Sequence, residues 1–338
     1  MLANFSGSDE EKSVSLQFQE FIGTDILTEP SGITELEQDR FLVVSDSSPD
    51  TAFYLLAHAS GVLTAKHLPS PPNMPKVDDL EGVVLLGEYI YAITSYSDND
   101  PEIRHLIRFQ MDANGFNSQP IAARGDYELK KRIKQALKTA FPKLNSSDFS
   151  REKFNIEGLA VHKDKKELLI GLRGPTMDGK AFVVSTEGLL GAFETNSHAI
   201  KINQNNENIY ALKLGGGGVR AMTCMADNKG YLIVSGKSIN GDDKFKCPYS
   251  NDKAKFLLWY WKGSKNHEPE PIHCFFPIKE NGIMVQPEGI TLTTLDGGEQ
   301  TLLIVSDDGK KPEGLSSGRP GRYWIVEPER YRNFLHRL

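Results

Sequence analysis

Five short segments of the chain are apolar at almost every position. They are FLVVSD ending at Asp46, YIYAITS ending at Ser95, ELLIGLR ending at Arg173, YLIVSGK ending at Lys237 and TLLIVSDD ending at Asp308. An unbroken apolar run of this length, without polar alternation, predicts a strand buried on both faces. Some way before each run stands a Gly beside an aliphatic residue, often preceded by Glu: Ser31-Gly32-Ile33, Glu81-Gly82-Val83, Glu157-Gly158-Leu159, Gly217-Gly218-Val219 and Glu288-Gly289-Ile290. A third strand-like run follows each apolar segment: AFYLL from Ala52, HLIRF from His105, AFVV from Ala181, FLLWYW from Phe256 and RYWIV from Arg322. A weaker fourth follows in places, such as VLTAKHL from Val62 and PIHCFF from Pro271.

Four strands per unit, repeated five times, predicts an all-β protein: a β-propeller of about five four-stranded blades. Glycine suits the innermost strand, where neighbouring blades crowd toward one axis. The repeat glycines are unevenly spaced, closest between Gly32 and Gly82 and farthest between Gly82 and Gly158, so some blades carry insertions. The segment at 126–143 has Leu129, Ile133, Leu137 and Phe141 four apart, which predicts an amphipathic helix closed by Pro142 and lying on one end of the ring. Segments 238–254 and 307–321 are polar and rich in turn formers. The strand-like Ser13–Phe18 is expected to pair into the last blade and close the ring, removing free sheet edges. The tail from Glu329 reads as a short helix, and the whole of 1–338 as a single domain.

Composition narrows the function classes. The net charge of −6 disfavours broad electrostatic binding to nucleic acid or anionic membrane. No segment approaches the roughly 20 apolar residues that span a bilayer, and the N-terminus has no signal-like apolar core. The three cysteines, Cys224, Cys247 and Cys274, are scattered and show no C-x-x-C spacing. Neither a disulfide framework nor a zinc site is expected from them, and the expected location is the cytoplasm. The sequence shows no H-x-x-x-H pair, and a hydrolase built on a G-x-S-x-G elbow is not expected.

Candidate chemistry follows from the propeller geometry. Residues opening each innermost strand, and those ending each second strand, gather at one rim. That brings Glu81, Glu157 and Glu288 together with Arg220, and places Asp46, Arg173, Lys237 and Asp307 nearby. Three converging carboxylates repel unless a cation intervenes. Either a bound Ca²⁺ or Mg²⁺ held by Glu81, Glu157 and Glu288 supplies that charge, or Arg173, Arg220 and Lys237 do.

The functional alternative is a metal-dependent hydrolase of a small anionic ester, a phosphoester or a lactone. Glu157, Arg173 and Arg220 would be its catalytic set, with Lys237, Asp46 and Asp307 gripping substrate. The structural alternative has each glutamate accepting backbone N–H groups of a neighbouring blade and locking the ring. In that case the protein is a non-enzymatic scaffold for a ligand or protein partner. Arg173 stands where other repeats have Asp46 and Asp307; it can grip an anion bidentately or pair with Glu157. The glycines at 215–218 lack the Lys of a phosphate-binding loop, and close packing explains them better. Ser95–Glu102 is acidic, but its spacing fits a solvated loop rather than an EF-hand. His162 reads as a core histidine.

Two phrases, FNIEGLAVHKDKKELLIGLRGP from Phe154 to Pro175 and LGGGGVRAM from Leu214 to Met222, resemble a bacterial family known only as a domain of unknown function. The E-G-[IL] repeats are also similar to those of esterase-like-phytase and other calcium-dependent propellers. The resemblance implies the fold and brings no catalytic residues with it.

Overall fold

In the computed structural model, each apolar run is the second strand of a four-stranded antiparallel sheet. The structure describes residues 19–326, except 24, 47–51, 99, 101, 113, 163–165, 195–198, 203–208, 226–228, 239–244, 247–252, 276–278, 281–282, 285 and 308–319. From the axis outward, the first blade is Pro30–Glu37, Arg40–Ser45, Phe53–Ala59 and Val62–His67. The second is Leu80–Leu86, Tyr89–Thr94, Leu106–Phe109 and Ile121–Ala122. The third is Asn155–His162, Glu167–Gly174, Lys180–Glu187 and Ile209–Lys213, with Lys201–Ile202 also pairing to the third strand. The fourth is Gly218–Cys224, Tyr231–Gly236, Phe256–Trp261 and Glu270–Phe275. The fifth is Gln286–Thr294, Gln300–Asp307 and Arg322–Val326, completed by Gln19–Glu20 from the start of the chain.

Residues 13–18, expected as the closing strand, lie outside the described residues; Gln19 and Glu20, which follow them, pair with Tyr323 and Arg322. Beyond this strand pairing, the packing closes the ring. Alternate residues of each second strand serve two interfaces. Phe41 and Val43 pack with Leu303, Val305 and Tyr323 of the fifth blade, while Leu42 and Val44 pack with Ile90, Ala92 and Ile107 of the second. Three further clusters fill the remaining interfaces around the ring. Every second strand is thus covered on both sides, which is why its sequence shows no polar alternation.

The repeat glycines mark the closest approaches. A β-carbon on Gly82 would lie 2.6 Å from Cβ of Leu159 in the next blade, and one on Gly158 would lie 2.6 Å from Cγ1 of Val219. No other residue fits there without moving a neighbour.

The expected helix forms as a 3-10 turn, Asp126–Glu128, followed by an α-helix, Leu129–Ala140. Leu129, Ile133 and Leu137 are fully buried as the spacing predicts, among the residues that fill the interface of blades two and three. It packs beside the blades rather than across the axis, with Lys130 Nζ donating to the Tyr96 carbonyl at 3.2 Å and reaching over the Phe154 ring. Of the polar segment 238–254, a short pairing of Phe245–Lys246 with Lys253–Ala254 is described. Most of 307–321 and the tail from residue 329 lie outside the described residues. The cysteines correct one expectation: Cys274 is disulfide-bonded, whereas Cys224 is a thiol whose Sγ–H donates to the Met225 carbonyl at 3.3 Å. Scattered spacing was a poor guide because a disulfide joins residues brought near in space. Among the described residues no helix is long and apolar enough to cross a membrane.

Candidate functional site

Near one end of every innermost strand the ladder to the second strand slips by one residue. The residue skipped by the pairing is Ser31 in blade one, Glu81 in blade two, Glu157 in blade three, Arg220 in blade four and Glu288 in blade five. Each is the extra residue of a β-bulge, a device that re-aims a side chain out of the regular pleat. The fold therefore presents one axial residue per blade, and the side chains of four of the five are charged. Ser31, Glu81, Glu157 and Glu288 line a narrow cavity on the axis, together with Ala221 and Met222 from the fourth blade.

The bulges revise the repeat in blade four. Glycine-based alignment puts Gly217 in the axial position, but the register puts Arg220 there, and Ala221 where the other blades have Gly. Gly218 serves a different contact: a β-carbon on it would run into the Arg173 backbone. Of the glycines at 215–218, Gly218 shows the expected close packing, whereas a β-carbon on Gly216 would meet nothing within 4 Å.

The structure brings Glu81, Glu157, Glu288 and Arg220 together, and all are buried, at 6%, 3%, 7% and 5% exposure. Arg220 Nη1 lies 2.9 Å from both Glu157 oxygens, and its Nη2 pairs with Glu288. Arg173 Nη1 approaches Glu157 from the rim at 2.8 Å, and its Nε donates to the Lys237 carbonyl at 3.2 Å. Arg173 is itself the skipped residue of a second bulge, between the pairs Asn155–Gly174 and Ile156–Leu172. Burial lowers the Arg220 pKa, and Glu157 opposes the drop.

Two corrections to the three-glutamate expectation follow. The charges of Glu157 and Glu288 are met by guanidinium groups, so of the three only Glu81 remains in a carboxylate-rich setting. The partners of Glu157 and Glu288 are arginines of neighbouring strands, not the backbone N–H groups that a purely structural lock would use.

The close carboxylate group is Asp46, Asp79 and Glu81, one oxygen from each lying within 4.8 Å of the others. Sequence reasoning missed Asp79. It stands two residues before the axial Glu81, as Glu29 stands before Ser31, and both hold a left-handed backbone, with φ of 61° and 48°. Their carbonyls accept from the backbone N–H groups of Ser95 and Asp46, each at 2.9 Å, which ties the second-strand ends to the axial strands. The Asp79 carboxylate accepts from the hydroxyls of Ser95 and Ser97, at 3.0 Å for the latter. The acidic loop from Ser95 thus supports the site through its first serines.

Asp46 keeps contact with solvent, yet enclosure by the protein, the Asp79 carboxylate and, more weakly, Glu29 and Asp307 push its carboxyl up to about 9. Burial, then Glu157, Asp79 and Asp46, raise Glu81 well above the carboxylate range, with Arg220 opposing. At neutral pH the group therefore holds protons that an added cation would displace.

Asp307, half-buried, acts on Asp46 through charge, as expected from the shared rim. Lys237 is exposed, and its backbone carbonyl rather than its ammonium is what Arg173 uses. His162 lies at the far end of its strand with its ring against Tyr231, centroids 6.5 Å apart, away from the axial residues.

Residues 136–315 match the model of a family described as a protein of unknown function, DUF3616. No curated protein matches the chain. Among solved structures, the exo-β-1,3-galactanase 1,3Gal43A of Clostridium thermocellum is similar over 92% of this chain and 61% of that one, at 9% identity and a TM-score of 0.50. A putative oxidoreductase (glucose dehydrogenase) of Thermus thermophilus is similar over 92% and 100% at 13% identity and a TM-score of 0.44. The catalytic domain of a GH62 α-L-arabinofuranosidase of Coprinopsis cinerea is similar over 93% and 98% at 10% identity and a TM-score of 0.46. At these identities the likeness concerns the fold alone.

Proposed function

We propose that this chain, which belongs to the DUF3616 family of proteins of unknown function, binds a divalent cation and a small anionic ester in the axial funnel and hydrolyses the ester. The observation that carries the proposal is the juxtaposition of opposite chemistries at one rim. Asp46, Asp79 and Glu81 form an acidic half, and Arg173 and Arg220 form a basic half one blade away.

The acidic half suits Ca²⁺ or Mg²⁺, which take carboxylate oxygens. Such a cation would polarise the ester oxygen. Arg173 is the anchor for the anion, because its side chain is 28% exposed and its Nη2 has no hydrogen-bond partner among the described residues. Arg220, bound between two glutamates, holds the basic half in place. In hydrolysis water adds to the phosphorus or acyl carbon, and the leaving oxygen takes a proton. The attacking water supplies that proton, because a cation held by Asp46, Asp79 and Glu81 would displace the protons that Asp46 and Glu81 carry without it.

The experiment combines calorimetric titration of the metal-free protein with Ca²⁺ and Mg²⁺ and a panel of phosphoesters and lactones. Binding of one cation, lost in Asp79→Asn, with turnover lost in Arg173→Met, supports the proposal. A folded protein that binds neither cation and turns over nothing on the panel refutes it. The second reading, a non-enzymatic scaffold for a ligand or protein, draws on the Arg220 clamp between Glu157 and Glu288, which uses much of the axial charge to hold blades together. The cytoplasmic location expected from the sequence gains no support from Cys274, since a disulfide favours an oxidising compartment.

A further inference from the structure

At the opposite end of the strands from the funnel, a second cluster joins the first and last blades. His58 sits on the third strand of blade one, and its side chain is 3% exposed. Asp39 lies in the turn joining the first two strands of that blade, and its carbonyl accepts from the His58 backbone N–H at 2.8 Å. Asp296 comes from the fifth blade, in the 3-10 turn Leu295–Gly297 between its first two strands. Its backbone N–H donates to Asp39 Oδ1 at 3.0 Å, which fixes the two turns against each other. Both aspartates hold a left-handed backbone, with φ of 62° and 51°.

His58 Nδ1 is buried and makes no hydrogen bond. It faces Asp39 Oδ1 at 3.4 Å and Asp296 Oδ1 at 3.6 Å. An N–H···O hydrogen bond spans about 2.7–3.2 Å, so both separations are too long for one. They match another geometry. Ligand atoms about 2.0–2.2 Å from a tetrahedral cation lie about 3.3–3.6 Å from one another. Both separations from His58 Nδ1 are those of ligands around one ion, and the ligand atoms of all three residues lie within 4.8 Å of one another. A buried imidazole nitrogen that makes no hydrogen bond, aimed between two carboxylates, would otherwise carry a desolvation cost that these long contacts offset only weakly.

We propose that His58, Asp39 and Asp296 bind a tetrahedral divalent transition metal, of which Zn²⁺ fits best, and that the ion clips blade one to blade five at the ring closure. One imidazole nitrogen and two carboxylate oxygens suit Zn²⁺, and water takes the fourth position. Mg²⁺, which prefers oxygen ligands in an octahedron, does not match the nitrogen or the spacing. The site shares no residue with the funnel, so it stands or falls independently of the reading above.

The test uses the full chain, stripped of metal with a chelator and titrated with ZnCl₂ at pH 7.5 by calorimetry, with thermal unfolding followed in parallel. The expected result is one Zn²⁺ bound and a raised melting temperature. Asp296→Asn should weaken binding at least about 100-fold, more than is typical for loss of an outer-shell partner, and should abolish the thermal shift. Asp296 is 65% exposed at the side chain, so this variant keeps the fold even if His58→Gln does not. Asp79→Asn in the funnel should leave the Zn²⁺ site intact. Wild-type protein that binds no Zn²⁺, or Asp296→Asn that binds it as tightly as wild type, overturns the proposal.

Discussion

Arg220→Met keeps the apolar stem of the side chain and removes a guanidinium that pairs with both Glu157 and Glu288 across two blade interfaces. Glu157 retains Arg173 at 2.8 Å, so most of the cost falls on Glu288, left buried without a cation among the described residues. Breaking a buried pair from one side costs about 3–5 kcal/mol, a large part of the roughly 5–15 kcal/mol that holds a typical domain together.

The sign of the pH dependence separates this cause from a packing defect. Without Arg220, Glu288 is buried with no cation beside it among the described residues, and burial favours its protonated form in the folded state. The folded variant then binds more protons than the unfolded chain. Its deficit is small near pH 4–5 and grows as pH rises toward the new folded pKa. Urea unfolding followed by tryptophan fluorescence at pH 5 and pH 8, on wild type and variant, gives both numbers. A deficit under about 1 kcal/mol at both pH values would be that of a surface ion pair, and would refute the buried clamp.

Cation binding at Asp46, Asp79 and Glu81 should release protons, because Asp46 and Glu81 have raised pKa values. Ca²⁺ or Mg²⁺ affinity should therefore rise between pH 6 and 9, and calorimetry in buffers of different ionisation enthalpy should detect the released protons. The same raised groups bind extra protons in the folded state. Their contribution to wild-type stability is thus fully present below about pH 4 and declines as pH rises through about 9. Asp79→Asn should flatten that decline in a pH series of urea midpoints. Gly158→Ala places a methyl group 2.6 Å from Val219 Cγ1, and overpacking of this kind costs about 1–3 kcal/mol. An unchanged urea midpoint would show that the blades do not meet as closely as described.

How much of this was legible in the sequence depends on what each feature does to composition. The blades were visible because burial on both faces strips polar residues from the second strand, and FLVVSD and TLLIVSDD show it plainly. The helix was visible because Leu129, Ile133 and Leu137 repeat at its period. The bulges were not visible. An extra residue in one strand changes pairing without changing residue type, and in blade four Gly218 imitated the repeat glycine while Ala221 occupied its place. Arg220 stood out for its charge, not for the bulge that presents it. Asp79 left a usable signal, an acid two residues before the axial position that recurs at Glu29. His58 lies in an ordinary apolar strand, and of its partners Asp39 belongs to an earlier turn and Asp296 to the far end of the chain, so its meaning exists only in three dimensions.

Everything proposed for the funnel rests on axial residues of different blades meeting in one charged network. A double-mutant cycle on Arg220→Met and Glu288→Gln tests this most directly, since the two positions are distant in the chain and join blades four and five. The account predicts a coupling of about 1–3 kcal/mol in urea unfolding at pH 7. Additive effects, within about 0.3–0.5 kcal/mol, would mean that the two side chains do not meet at the axis.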